Sequence, residues 1–325
     1  MAPAKLNLHL RVGPRREDGF HPLLSWMTTV GLFDSLVLEE DETAAVALQC
    51  DLPALPCDER NLVVKIARAW MEVAQSEINA PKSGAGRGAP SSSRARATAG
   101  PGQVRHAGGI RATLHKRIPV GAGLGGGSSD AARALLALNR LWSTGRAADD
   151  LSAFAARFGS DLPFFFFGPS SVCSGRGEIV RPVPRPRARW AVLVLPPLSM
   201  PTADVYGRFD QMGLGRMQDL AAEPDWYEWA ALGSEELLPR LVNDLEPAAW
   251  AIAPALGALR QRVERMLGRV VRMSGSGSSL FTLFDAEPEA KDASARIERD
   301  LQERAPAVEV APIFKDDLNE VNEDT

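Results

Sequence analysis

Residues 119–130 read PVGAGLGGGSSD, a stretch in which five of twelve positions are glycine. Glycine loses the most backbone freedom on folding, so this density implies a use for bare main chain. Upstream, IRATLHKRIPV (110–120) reads as a strand. Downstream, SSDAARALLALNRLW (128–142) places Ala131, Leu135, Leu138 and Trp142 three and four apart, which predicts a helix behind a Ser cap with an acid in its first turn. Strand, glycine loop and helix N-terminus in that order offer unpaired amides and the positive end of a helix dipole to an anion. The expected occupant is a triphosphate; the competing reading is a tight strand-to-helix connection with no ligand. Pro119 and Val120 lead in. Gly121, Gly123, Gly125, Gly126 and Gly127 let phosphate oxygens approach around Ala122 and Leu124, and Ser128 and Ser129 add hydroxyls for phosphate or a bound magnesium ion.

Two familiar phosphate loops do not fit. Gly121, Gly123 and Gly126 satisfy GxGxxG, but a dinucleotide fold needs a second strand ending in an acid, and TGRAADDLSAFAARFG (144–159) reads instead as loop and helix. The P-loop alternative needs lysine where Gly127 stands.

The chain has 325 residues, 45% hydrophobic and 24% charged, enough for two compact units. A net charge of -4 gives no global attraction to nucleic acid or anionic membrane, so a small soluble ligand is the expected partner. Cys50, Cys57 and Cys173 form no CxxC pair and are odd in number, which argues against a disulfide framework and a structural zinc site. The longest apolar runs (162–167 and 190–198) are too short to span a membrane, and the opening MAPAKLNLHL lacks a signal peptide's apolar stretch. A cytoplasmic location is expected.

Along the chain, residues 4–12 alternate, with Leu6, Leu8, Leu10 and Val12 on one face and Lys5, Asn7, His9 and Arg11 on the other, which predicts a half-buried strand. A turn through Glu17, Asp18 and Gly19 precedes strand-like residues 23–39, and NLVVKIARAWMEVA (61–74) has helical spacing. PKSGAGRGAPSSSRARATAGPGQVRHAGG (81–109) is too poor in apolar residues to offset its ordering entropy and reads as a disordered insertion. The helix AADDLSAFAARFG (147–159) is expected to stop at a left-handed Gly159, and VRPVPRPRARW (180–190) to be a connection before the strand WAVLVLPP (190–197).

Phosphoryl transfer needs positioned phosphates, neutralised charge and a group that takes the acceptor's proton. Asp161, in FGSDLPFFFFG (158–168), lies beside four phenylalanines where a carboxylate needs a partner; it reads equally as a turn aspartate before Pro163. Lys5 shares the polar face of the first strand with Asn7, a face that either meets water or lines a cleft. Phe20 and His21 are either an aromatic platform with an edge reader or ordinary core and loop residues.

Taken together, PAKLNLHLRV (3–12), DGFHPL (18–23), PVGAGLGGGSSDAA (119–132), GSDLPFFFFG (159–168), NDLEP (243–247) and MSGSGSSLFTLF (273–284) resemble the GHMP kinases over nearly the whole chain. The resemblance implies an α+β enzyme with a ribosomal S5 domain 2-like N-terminal domain (1–168) and a ferredoxin-like C-terminal domain (169–325), its active site in the cleft between. It implies an ATP-dependent small-molecule kinase, with Mg2+ accompanying the ATP, acting as a monomer or homodimer. The DGFH turn and the GGGSSD run best fit the members whose acceptor is cytidine diphosphate methylerythritol, phosphorylated on its 2-hydroxyl; another alcohol acceptor is the alternative. By the same resemblance Lys5 and Asp161 are catalytic, with Asp161 as base, and residues 119–129 bind ATP with Asn61 and Lys116. Asn7, Phe20 and His21 bind the acceptor, and Tyr206, closing MPTADVY (200–206), covers the second face of the cytosine. The family's GYH is Gly19-Phe20-His21 here, and the insertion at 81–109 is long for the family.

Overall fold

The computed structural model describes residues 1–43, 45–79, 108–301 and 307–313. The disorder expected of 81–109 therefore falls almost wholly outside the described residues.

The first sheet is built around one long strand. β1 (Ala2–Val12) runs antiparallel to the near half of β2 (Leu23–Asp41). The far half of β2 carries β4 (Gly109–His115), and β3 (Val46–Cys50) adds to β4 in parallel. On its other side β2 pairs with β5 (Ser170–Ser174), which pairs with β6 (Ile179–Pro182). This first sheet thus continues through Pro182, past the boundary expected after Gly168, and takes in part of the segment expected to be a connection. Helices α1 (Leu62–Asn79), α2 (Gly126–Leu141) and α3 (Ala148–Ala155) pack on it, joining Ile66, Trp70, Leu135, Leu138 and Trp142 to Phe164 and Phe165 in one core. Each large side chain so buried contributes about 1.5–3 kcal/mol. α3 ends before Gly159, which is not left-handed; its cap is Ala156, so the expected glycine stop is not used.

The second half is an antiparallel sheet of β7 (Trp190–Leu195), β8 (Arg272–Met273), β9 (Leu280–Phe284) and β10 (Ala307–Pro312), in the order β10-β7-β9-β8. Its helices are α4 (Thr202–Gln211), α5 (Met217–Ala221), α6 (Trp226–Ala231), α7 (Ser234–Leu237), α8 (Glu246–Ile252), α9 (Pro254–Leu267) and α10 (Glu287–Leu301).

The halves meet across β1. Leu6 and Leu8 pack with Trp26, Leu193 and Phe281, while Leu10 and Val12 join Val192, Phe209 and Met273. β1 is not half-buried as its alternation suggests: Lys5, Asn7 and His9 are each only 3% exposed. Residues 242–244 cover its outer edge, Leu10 N donating to Val242 O at 2.7 Å and Asp244 N to Leu10 O at 3.0 Å. A charged and an amide side chain are therefore enclosed between two domains, which requires partners for both.

Candidate active site

The loop expected to bind phosphate is tied down by its carbonyls. Gly121 O accepts from Met200 N (3.2 Å), Ala122 O from Ser279 N (3.1 Å), Gly123 O from Ser274 Oγ (2.9 Å) and Leu124 O from Lys5 N (2.9 Å). Four successive acceptors are thereby engaged by the rest of the protein, three of them by the second half. Gly125 follows at φ +68°, a left-handed value that favours glycine, and a Cβ there would lie 2.8 Å from the Lys5 Cγ.

α2 begins directly after it. Gly125 rather than a serine is the N-cap, and no side chain caps the helix. The expected Ser cap is thus absent: Ser128 and Ser129 lie inside the first turn, and Asp130 lies beyond it. The Ser129 N–H closes the first helical bond, to Gly125 O at 2.9 Å, so the preceding amides of Gly126, Gly127 and Ser128 have no acceptor within the helix. An uncapped, glycine-opened N-terminus is suited to an anion.

A cleft of about 410 Å³ opens over these amides. Its walls bring together Lys5, Asn7, Asn61, Lys116, Asp161, Tyr206 and all of the loop from Pro119 to Ser128. Of the expected site residues, Ser129, Phe20 and His21 are not among its walls. Ser129 is buried, and its Oγ has no hydrogen-bond partner among the described residues.

Lys5 and Asp161 face each other, Nζ to Oδ2 at 3.4 Å, with the lysine side chain 4% exposed and the carboxylate 36%. The Lys5 ammonium also donates to Asn7 Oδ1, and Asn7 Nδ2 donates to Ser25 Oγ at 2.8 Å. Asp161 sits just ahead of a 3-10 turn, Pro163–Phe166, whose buried phenylalanines fix it at the cleft wall.

Asn61 caps α1, its Oδ1 accepting from Val63 N at 2.9 Å and its Nδ2 donating to Pro56 O at 2.9 Å. Lys116 is held by two carboxylates: its ammonium donates to Asp34 Oδ2 and, at 2.8 Å, to Asp130 Oδ2. Burial would lower the Lys116 pKa, but the charges and hydrogen bonds of Asp130 and Asp34 outweigh it and the net shift is upward. Burial pushes the Asp130 carboxyl up to about 7, Lys116 opposing and Asp34 adding to the rise.

Tyr206 is packed against His21, ring centroids 5.0 Å apart, and burial, with the Asp161 charge behind it, raises its phenol. His21 Nδ1 donates to Gly13 O at 2.9 Å, and its Nε2 lies 3.2 Å from Asp210 Oδ1. Phe20 is 48% exposed, with the Arg176 guanidinium 4.8 Å from its ring centre. His21, not Phe20, is the ring beside Tyr206.

Residues missed in the sequence also line or support the cleft. Gly275 and Ser276 line it, and their glycine cluster is visible as a motif without revealing that it packs on the first. Asp34 gives no signal at all, being one polar residue within a long strand.

A carboxylate paired to lysine beside a glycine-opened helix is an arrangement suited to phosphoryl transfer, and sequence comparison supplies the class of protein. Residues 93–169 match the GHMP kinases N terminal domain and residues 217–304 the GHMP kinases C terminal domain. The chain belongs to the GHMP kinase family and is an ATP-dependent small-molecule kinase. Within the family it is 35% identical over 312 residues to the 4-diphosphocytidyl-2-C-methyl-D-erythritol kinase of Synechococcus sp. (strain CC9902), covering 90% of each chain. It is 31% identical over 291 residues to the protein of that name in Macrococcus caseolyticus (strain JCSC5402), covering 89% of this chain and 91% of the relative. A crystal structure of 4-(cytidine 5'-diphospho)-2C-methyl-D-erythritol kinase superposes with a TM-score of 0.68 at 33% identity, over 96% of this chain and 97% of the other. Among the described residues no helix is long and apolar enough to cross a membrane.

Proposed function

We propose that this kinase transfers the γ-phosphoryl group of ATP to the 2-hydroxyl of 4-diphosphocytidyl-2-C-methyl-D-erythritol, giving the 2-phosphate and ADP in non-mevalonate isoprenoid synthesis. The observation that carries the chemistry is the 3.4 Å Lys5–Asp161 pair on the wall of the cleft that the α2 N-terminus opens into. Asp161 takes the hydroxyl proton as that oxygen forms its bond to the γ-phosphorus and the bond to the ADP oxygen breaks. Lys5 stands beside the Asp161 carboxylate and polarises the hydroxyl, and Asn7 holds the ammonium in place. The amides of Gly126, Gly127 and Ser128 stabilise the phosphate charge as it shifts.

Phe20 and Tyr206 are proposed to flank the cytosine. For His21 to read the base edge, its Nε2 must exchange the Asp210 carboxylate for the base. Asn61 and Lys116 stand on the nucleotide side.

Magnesium fits as a companion of the phosphates. Ser128 offers a hydroxyl at the cleft wall. An ion held largely by phosphate oxygens and water needs no more from the protein. When bound, it neutralises charge on the transferring group. The proposed compartment is the cytoplasm, in keeping with three free thiols.

The test is an ADP-release assay with the cytidine-bearing acceptor and with simple alcohols, followed by phosphorus NMR of the product. A new monophosphate resonance at the tertiary carbinol is expected only with the cytidine acceptor. Faster turnover of an alcohol lacking cytidine would replace this assignment with another member of the family.

A further inference from the structure

We propose that Asp34 is a positioning residue for the nucleotide, acting through Lys116 and Asp130 to hold the lead-in of the phosphate loop against the start of α2. Asp34 is wholly buried in β2. Its Oδ1 accepts from Arg117 N at 2.6 Å and Ile118 N at 2.9 Å, and its Oδ2 from the Lys116 ammonium. One carboxylate thus fixes three successive residues immediately before the loop. The same ammonium reaches Asp130 on α2 at 2.8 Å and lies 3.2 Å from where a Gly126 Cβ would stand. Strand, lead-in and helix are joined at a single buried point beneath the amides that face the cleft.

The geometry also separates this role from direct contact. Lys116 borders the cleft, but turning its ammonium toward a phosphate would strip a buried carboxylate of its partner, an exchange that is strongly unfavourable in a low-dielectric site. Lys116 therefore serves the phosphate by where it holds the loop. Removing Asp34 leaves the amides present but displaced, and misplacement of about 1 Å is enough to weaken an oriented site by an order of magnitude or more.

The proposal rests on the loop being the ATP site and not on which alcohol is the acceptor. Calorimetric binding of a non-hydrolysable ATP analogue with magnesium to Asp34→Asn, Asp34→Ala and Asp130→Asn tests it, with thermal unfolding in parallel and Gly127→Asp as a marker of the loop. The analogue should bind at least about tenfold more weakly to Asp34→Ala and less weakly to Asp34→Asn, which keeps an acceptor for the two amides, while KM for the alcohol stays within about threefold. If Asp34→Ala does not fold, Asp130→Asn decides: it leaves Lys116 and Asp34 as a neutral pair and should still lose several-fold in analogue affinity. Wild-type affinity in folded Asp34→Asn and Asp130→Asn, with Gly127→Asp impaired, overturns the proposal, as do equal losses in analogue affinity, alcohol KM and kcat. Normal binding to Gly127→Asp would instead take the nucleotide away from this loop, refuting the site reading itself and the proposal with it.

Discussion

Gly123 and Ser274, 151 residues apart, meet so closely that a Cβ on Gly123 would lie 2.1 Å from the Ser274 carbonyl oxygen. The two glycine clusters are one unit, the second holding the Ala122 and Gly123 carbonyls of the first. Gly123 also has φ +78°. Gly123→Ala is therefore expected to lose about 1–3 kcal/mol of stability from backbone strain alone, and more from the clash. Gly127, with nothing within 4 Å of its would-be Cβ, should behave differently. Gly127→Ala should be as stable as the parent or slightly more so, yet bind ATP more weakly because the methyl group stands where phosphate approaches. Urea unfolding and ATP KM of the two variants check the contrast.

Asp161→Asn should lower kcat by about 10² to 10⁴, the usual span for a general base, with ATP binding retained. The side chain is 36% exposed, so little stability should be lost with it. Near-normal turnover, measured under conditions where chemistry limits the rate, would remove Asp161 from its proposed role.

Phe20 is the natural probe of the acceptor's base. Being 48% exposed, it should contribute little to folding, and Phe20→Ala should change stability by no more than about 0.5 kcal/mol. A lost stacking surface is worth about 1–3 kcal/mol, so KM for the cytidine acceptor should rise about tenfold or more while KM for ATP holds. Steady-state kinetics with each substrate varied in turn make the comparison; an unchanged acceptor KM would exclude Phe20 from the base site.

His9 makes stability pH-dependent. Burial first, then the charges of Arg11 and Arg272, holds its ring down at about 3 against an ordinary 6.5. Between those values the unfolded chain binds a proton that the folded chain does not, so the contribution is present above about pH 6.5 and is lost as pH falls. At pH 5 the loss is at most about 2 kcal/mol relative to pH 7.5. His9→Asn keeps an acceptor for the Val242 N–H, so its own urea midpoint should change less over the same interval. Identical pH slopes for the two proteins would show that His9 is not the source.

How much of this was legible varies by residue. The α2 helix and the glycine loop are properties of contiguous residues, since spacing along one chain sets which side chains share a face and which amides stay unpaired. Lys5 and Asp161 are each ambiguous alone, because a strand lysine and a pre-proline aspartate have ordinary uses; only the resemblance to known kinases brought them together in the reading. The Ser cap and the Gly159 stop that local preference predicts do not form: the helix opens at a left-handed Gly125, and α3 ends without needing a glycine.

The sequence by itself determined the strand β1, the unit of strand, glycine loop and helix α2, and the membership of the family. These depend on periodicity, backbone freedom and motif order, all written along the chain. Only the tertiary structure decided that β1 is enclosed on both faces, that a second glycine cluster braces the first, and that Asp34, Lys116 and Asp130 share one buried point. Those relationships join residues far apart in sequence, and their energies arise from desolvation and partner geometry, which exist only once the two halves have closed on each other.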